Sequence, residues 1–154
     1  MESNEARDQL LLVERAAAAP YVQYPATPWW YAPAVGAWTA AFIGCFIWWR
    51  ENGALFAASL AILLSAEVLF LTWMRRRHGA LPMPGHGKPP AEIAAVWRGY
   101  FAGLVVIAAL VAPAWWFGGV PVAAAAAFVL VTAGLAVYER KYAVAAAEVR
   151  DRLA

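Results

Sequence analysis

Charged residues are scarce in this sequence of 154 residues, of which 14% are Asp, Glu, Lys or Arg and 64% are hydrophobic. A soluble domain carries about 25% charged residues. The polar side chains are therefore too few to cover a water-soluble globule, which argues against a soluble domain. The net charge of +2 is small, and no nucleic-acid partner is expected.

Residue types that build disulfides, metal sites and active sites are also few. Cys45 is the single cysteine, so an intrachain disulfide is excluded, and its position in an apolar run indicates a small core residue. His78 and His86 lie eight residues apart without a cysteine or acidic cluster nearby, so no metal is expected. The sequence lacks a phosphate-binding glycine loop and a nucleophile elbow. We therefore expect no enzymatic activity and no cofactor.

Long apolar runs are the main feature that is present. Four of them, residues 30–49, 54–74, 99–117 and 120–138, contain 19 to 21 residues each. An α-helix needs about 20 residues to cross a hydrocarbon core of roughly 30 Å. Continuous apolar runs also exclude a β-barrel, whose strands alternate apolar and polar residues. The sequence therefore predicts an all-α integral membrane protein with four spans.

The connections on one side of these spans are very short. Residues 50–53 join the first two runs, and Gly118-Gly119 joins the last two. Because short connections favour antiparallel neighbours, we predict a four-helix bundle of two antiparallel hairpins over residues 29–138. The other segments are an amphipathic N-terminal tail, a loop and a helical C-terminal tail, at residues 1–28, 75–98 and 139–154.

The basic residues predict the orientation of the chain. Eleven of the twelve Lys and Arg residues lie in the tails and the 75–98 loop, whereas Arg50 lies in a connection on the other side. By the positive-inside rule, we expect both termini in the cytoplasm and the chain in a bacterial cytoplasmic membrane. The consecutive residues Arg75, Arg76 and Arg77 are expected to fix this topology and to contact anionic lipid. Tryptophans near the ends of the runs, such as Trp97, are expected at the membrane interfaces.

Both tails carry apolar residues at helical spacing. The N-terminal stripe, on a short helix that we expect Pro20 to end, consists of Ala6, Leu10, Val13 and Ala17. The C-terminal stripe consists of Tyr142, Ala146, Val149 and Leu153. These stripes could pack on each other, on a second copy of the chain or on the lipid surface.

Glu67 is the only ionisable residue inside a predicted span. A charge near the middle of a span costs roughly 2.5–3.5 kcal/mol. Thr39 and Thr132 lie at a similar depth, so the three residues are predicted to form a polar layer between helices. We favour an interhelical hydrogen bond or a contact to a partner subunit. The alternative is a proton- or cation-coupled site in a small transporter.

Small residues spaced four apart indicate surfaces for close helix packing, because lipid supplies no hydrophobic driving force between helices. They are Gly36, Ala40 and Gly44 in the first run, and Gly99 and Gly103 in the third. Such stripes serve either the internal bundle or a homodimer, and we favour the internal use.

The beginning of the chain resembles a group of bacterial membrane proteins. The residues that carry the resemblance are Glu5-Ala6-Arg7, Leu12-Val13-Glu14-Arg15-Ala16, Pro28-Trp29-Trp30-Tyr31 and Pro33-Ala34-Val35-Gly36. This pattern resembles uncharacterised four-span membrane proteins of high-GC Gram-positive bacteria, over about the first quarter of the chain and in the four-span plan. The resemblance implies location and architecture, with no assigned activity and no catalytic residue.

These observations predict a non-enzymatic membrane protein that acts as an accessory, regulatory or scaffolding component, through helix packing and its cytoplasmic face. The alternative is a small proton- or cation-coupled transporter that uses Glu67. The expected partners are the lipid bilayer and either a second copy of the chain or another membrane protein.

Overall fold

The structure, a computed structural model, is mainly helical over the residues that it describes, which are 2–23, 27–78 and 87–153. Side chains are described for residues 9–23, 27–76 and 87–153. No strand occurs in these ranges, so the all-α prediction is confirmed. The helices are α1 (Glu2–Val22), α2 (Tyr31–Gly44), α3 (Gly53–His78) and α4 (Ala91–Leu153), with a 3-10 helix (Cys45–Trp48) directly after α2.

Three helical segments are long and apolar enough to cross a membrane. They are Tyr31–Trp48, with a mean hydropathy of 1.3, and Gly53–Arg76 and Ala91–Leu153, each with a mean hydropathy of 2.3. The third segment contains 63 residues. At about 1.5 Å per residue it is far longer than one crossing requires.

Helix α4 is interrupted at Gly119, whose φ of 73° lies in the left-handed region that favours glycine. Pro121 follows in the first turn after the interruption, where its missing N–H costs no helical hydrogen bond. We refer to residues 91–118 as the first arm of α4 and to residues 120–153 as the second arm.

The two arms of α4 lie side by side. The rings of Tyr100 and Tyr138 are 5.1 Å apart, and Arg152 Nε lies 3.3 Å from Glu92 Oε1. In each pair, one residue precedes Gly119 and the other follows it at a similar distance along the chain. The second pair lies farther from Gly119 than the first. The interruption therefore reverses the direction of the helix.

A tight turn joins α2 to α3, and Asn52 caps the start of α3. The Asn52 Oδ1 atom accepts a hydrogen bond from the Leu55 N–H at 3.1 Å, which satisfies one of the free donors at a helix N-terminus. The Asn52 N–H in turn bonds to the Trp48 carbonyl at 2.9 Å. Both bonds are local in sequence, so the turn forms without help from the rest of the chain.

The connection between α3 and α4 is shorter than the predicted loop of residues 75–98. Helix α3 continues to His78, and α4 begins at Ala91. Glu92 lies in the first turn of α4, where a negative charge is favourable beside the helix N-terminus. Residues 79–86 of the predicted loop lie outside the described residues.

Helix α2 makes its main contacts with α4, whereas α3 lies against α2 and the 3-10 helix. Trp38 Nε1 donates a hydrogen bond to the Leu63 carbonyl at 3.4 Å, and the Phe46 and Phe56 rings are 5.2 Å apart. None of the apolar window of α3 is buried. The closely packed unit therefore consists of α2 and the two arms of α4, with α3 beside it.

Pro20 does not end α1, which continues to Val22. A proline inside a helix removes one backbone hydrogen bond. Contacts with α4 support the final turn, because the Tyr21 and Val22 carbonyls both accept hydrogen bonds from side chains of the second arm. Tertiary contacts therefore outweigh the local signal that proline provides.

The face that α1 packs on α4 differs from the predicted N-terminal stripe. Leu10 and Val13 are 70% and 67% exposed, whereas Ala18 and Val22 are buried. The side chain of Ala6 lies outside the described residues. Four consecutive apolar residues make this part of α1 apolar on every side, so spacing alone cannot select the packing face.

Candidate functional site

The C-terminal stripe forms a small core with α1 and the first arm of α4. This three-helix core consists of Ala18, Val22, Ile93, Trp97, Ala145, Ala146, Val149 and Leu153. Ile93 and Val149 are fully buried, and Tyr142 packs against the cluster. The C-terminal stripe is therefore a packing face, and its partners are α1 and the first arm of α4 in the same chain.

Trp97 belongs to this core. Its side chain is only 5% exposed, and its ring meets the ring of Tyr21 edge to face at 6.0 Å. Because α1 covers the ring, Trp97 packs inside the protein and is not exposed as an interfacial anchor would be. A tryptophan buried in this way contributes a large apolar area to the contact between helices.

Arg152 joins the three helices of the core by ionic contacts. Its Nη1 atom donates to Glu14 Oε1 of α1 at 2.7 Å, and its Nε lies 3.3 Å from Glu92 Oε1 of the first arm. Glu14 and Arg152 are about half exposed, so each contact contributes only about 0.2–1 kcal/mol. The planar guanidinium holds both carboxylates at once, which orients the helices around the core.

The C-terminal ends of α1 and α4 are capped by side chains of the opposite helix. The Tyr142 hydroxyl donates to the Tyr21 carbonyl at 2.9 Å, and Arg150 donates to the Val22 carbonyl at 3.0 Å. Arg15 of α1 donates to the Leu153 carbonyl at the end of α4. Helix C-termini have unsatisfied carbonyls and a negative partial charge, so cations on either helix stabilise the end of the other.

An apolar groove of about 1160 Å³ runs along α4 beside α2. It is formed by α2 and both arms of α4, and none of the described side chains of α3 lines it. Residues along its length include Val35, Thr39, Ile43, Gly99, Gly103, Ile107, Ala127, Val131 and Gly134. Tyr100 and Tyr138 line it near the three-helix core, together with Arg140, Lys141, Glu92 and Glu148. The groove is apolar for most of its length and carries charged residues of both signs at one end.

The three residues of the predicted polar layer lie on different helix surfaces. The Thr39 hydroxyl donates to the Val35 carbonyl of its own helix at 2.9 Å. Thr132 Oγ1 is buried and has no hydrogen-bond partner among the described residues. Glu67 is half-buried on α3, four residues after Leu63, whose carbonyl contacts α2. Of the three residues, only Thr39 lines the groove.

The small residues of the first run differ in their surroundings. A methyl group built on Gly36 lies 2.2 Å from Thr132 Oγ1 and 2.9 Å from the Phe128 carbonyl oxygen. Gly36 therefore permits a close approach of α2 to the second arm. Ala40 is half-buried, and a methyl group at Gly44 meets no atom within 4 Å.

The small residues of the third run lie beside open space. Methyl groups built on Gly99 and Gly103 meet no atom within 4 Å, and both residues line the groove. Because these two glycines have no side chains, the groove is wider beside them and has room for part of another molecule.

The remaining candidate residues lie outside the groove and the core. Arg75 and Arg76 are exposed near the end of α3, and the side chain of Arg77 lies outside the described residues. Cys45 is buried, and its thiol donates to the Ala41 carbonyl at 3.2 Å. The described part of the chain contains no group of three His, Cys, Asp or Glu side chains that could hold a metal ion.

Two features of the site are absent from the sequence predictions. Glu14 and Arg152 are 138 positions apart, and no sequence pattern joins them. The pair Arg140-Lys141 directly follows Tyr138, at the end of the last apolar run. A basic pair directly after an apolar run is a local signal that distinguishes these two residues, whereas the positive-inside rule uses them only as part of the total charge.

No known protein family, curated protein or solved structure matches this chain.

Proposed function

We propose that this chain is a four-span protein of a bacterial cytoplasmic membrane, with both termini inside, and that it acts as a non-enzymatic accessory, regulatory or scaffolding component. The observation that carries the proposal is the three-helix core, which joins α1 to the ends of both α4 arms. The resemblance of the first quarter of the chain to four-span bacterial proteins also supports the location.

Helix length supports two crossings by α4 and a projection beyond the bilayer. Residues 120–153 span roughly 50 Å at 1.5 Å per residue, which exceeds a hydrocarbon core of about 30 Å. The apolar part of this arm ends at Tyr138. The part that continues to Leu153 therefore extends about 20 Å into the cytoplasm under the proposed orientation, and carries the three-helix core there.

The cytoplasmic projection ends in an exposed apolar segment of α1. Leu10 and Val13 precede Arg15, which contacts the Leu153 carbonyl at the end of α4. Both are about two-thirds exposed. Under the proposed orientation that end of α4 lies about 20 Å beyond the bilayer, and exposed apolar side chains of this kind mark protein contact sites. We infer that a protein partner binds here from the cytoplasm.

The alternative, a small transporter that uses Glu67, receives no support from the groove. Glu67 does not line it, and α3 lies outside the packed unit of α2 and α4. A transporter site at Glu67 would require a second helix surface beside α3.

Reporter fusions test the membrane arrangement. A reporter that is active only in the cytoplasm should work at both the N-terminus and the C-terminus, and one that is active only outside should work at neither. Opposite results at the two ends would contradict the four-span proposal. A chain that remains dissolved as a compact monomer without detergent would contradict membrane insertion altogether.

Purification in mild detergent tests the accessory role. A partner in fixed stoichiometry should be lost when both Leu10 and Val13 are replaced by alanine. The matched control replaces Leu69 and Val68, a leucine and a valine of similar exposure on α3, and should retain the partner. A pure homo-oligomer whose pH-dependent substrate binding disappears in Glu67→Gln would support the transporter instead.

A further inference from the structure

The groove has an apolar surface and two cations at the predicted membrane boundary, which together match a charged lipid. Gly99 and Gly103 leave space along its length. At its cytoplasmic end, Arg140 and Lys141 line the groove and are both exposed. Within the described ranges, neither cation forms an ion pair with an acidic side chain. Tyr138 marks the predicted membrane boundary, so the two cations lie about 3–5 Å beyond it, at headgroup level.

Two acidic residues, Glu92 and Glu148, line the groove, and both lie farther from the bilayer than Arg140 and Lys141. Glu148 is seven residues after Lys141, which corresponds to about 10 Å along the helix. Glu92 is bound to Arg152 in the three-helix core. Glu139 does not line the groove, and its carboxyl interacts with Thr27. The headgroup level of the groove is therefore positively charged.

We propose that the groove binds one anionic phospholipid of the inner leaflet, with its acyl chains against the apolar surface and its phosphate beside Arg140 and Lys141. This inference rests on the proposed membrane arrangement. Basic pockets between transmembrane helices on the cytoplasmic side are typical sites for anionic headgroups. The site is distinct from the Arg75–Arg77 cluster, because neither Arg75 nor Arg76 lines this groove.

Charge favours a lipid over a helix from a second copy as the occupant. Helix α3 is the least buried apolar helix and would be the natural candidate to fill the groove. In the same membrane orientation, however, it would bring Arg75 and Arg76 to the level of Arg140 and Lys141. Like charges at one depth repel, whereas a phosphate is attracted.

The test compares phosphatidylglycerol with phosphatidylcholine. The full chain is purified in detergent, incubated with each lipid and analysed by native mass spectrometry. We expect one phosphatidylglycerol per chain in the wild type and much weaker binding of phosphatidylcholine. Replacement of both Arg140 and Lys141 by glutamine should weaken phosphatidylglycerol binding about 30-fold, at roughly 1 kcal/mol for each basic residue. Replacement of both Arg75 and Arg76, which removes the same charge, should leave the groove-bound lipid in place, because the anionic lipid that these arginines attract lies at the membrane surface and not in the groove.

A second pair of variants tests the apolar part of the site without a change of charge. Gly103→Leu places a side chain in the groove and should displace the lipid. Gly44→Leu is the matched control, because Gly44 also lies beside open space but does not line the groove. Thermal unfolding of each variant in detergent identifies those that remain folded, and binding is compared among these.

Three results would overturn the proposal. They are equal binding of the two lipids, equal loss in the Arg75/Arg76 variant, and a lipid-free dimer that Gly103→Leu dissociates. If the reporters place both termini inside and phosphatidylglycerol still does not bind, only the lipid site is wrong. If the reporters disagree with the four-span arrangement, the proposed function fails first.

Discussion

Gly36→Ala should destabilise the chain, because the added methyl group has no space between α2 and the second arm of α4. The methyl carbon would lie 2.2 Å from Thr132 Oγ1 and 2.9 Å from the Phe128 carbonyl oxygen, whereas ordinary contacts begin at 3.4 Å. Rotation of the Thr132 side chain can relieve the first overlap. The second involves the backbone, so the helices must separate by about 0.5 Å, the difference between 3.4 and 2.9 Å.

The expected cost is that of an overpacked helix contact. Insertion of one methylene-sized group into a packed interior costs about 1–3 kcal/mol. For a chain of this length, each kcal/mol corresponds to roughly 2–4 °C in the midpoint of thermal unfolding. Gly36→Ala should therefore lower that midpoint by on the order of 2–12 °C in detergent, measured by tryptophan fluorescence or circular dichroism.

Two glycines of the same chain provide controls for this measurement. Gly44 and Gly99 have no atom within 4 Å of an added methyl group, and alanine is favoured over glycine in a helix by up to about 1 kcal/mol. Alanine at either position should leave the midpoint unchanged or raise it. Adding Thr132→Ala to Gly36→Ala should recover part of the loss. If Gly36→Ala unfolds at the same temperature as Gly44→Ala, the close contact between α2 and α4 does not exist.

Three further changes test the three-helix core and its surroundings. Ile93→Ala should cost about 2–5 kcal/mol because Ile93 is fully buried, whereas alanine at the exposed Ile62 should cost far less; equal losses would contradict the core. Arg152→Gln should lower stability by about 0.4–2 kcal/mol, from two exposed ion pairs, and added salt should reduce the difference. Burial raises the pKa of the Glu139 carboxyl above 4.5, and the Thr27 hydroxyl offsets part of this effect. Ionisation of Glu139 therefore lowers the stability of the folded chain as pH rises from 4.5 through the folded-state pKa. Glu139→Gln should remove that pH dependence, which thermal unfolding at a series of pH values measures.

The helices and the two tight turns could be predicted from local sequence, whereas the start of α4 at Ala91 lies within the predicted loop of residues 75–98. Asn52 caps α3 through the N–H of Leu55, three positions away, and Gly119 adopts a positive φ that other residues avoid. Apolar length sets where a helix is able to cross lipid. These signals act over one or two helical turns, so they are present before any tertiary contact forms.

The face that each helix presents to its neighbours could not be predicted in the same way. Leu10 and Val13 match the spacing of a packing stripe and are exposed, whereas Trp97 matches an interfacial anchor and is buried. In a chain that is 64% hydrophobic, apolar residues occur on most sides of each helix. The contrast between apolar and polar faces that identifies a packing surface in a soluble helix is therefore weak.

The groove and the Arg152 contacts depend on residues that are far apart in the chain. Arg152 meets Glu14 across 138 positions, and the groove exists because α3 lies beside α2 and leaves the surface of α4 uncovered. Local sequence is sufficient to build the helices, since their backbone hydrogen bonds close within four residues. Which helices contact each other, and which surface stays open for a ligand, depends on how the shapes and charges of distant side chains fit together. Only the tertiary structure brings those side chains into contact.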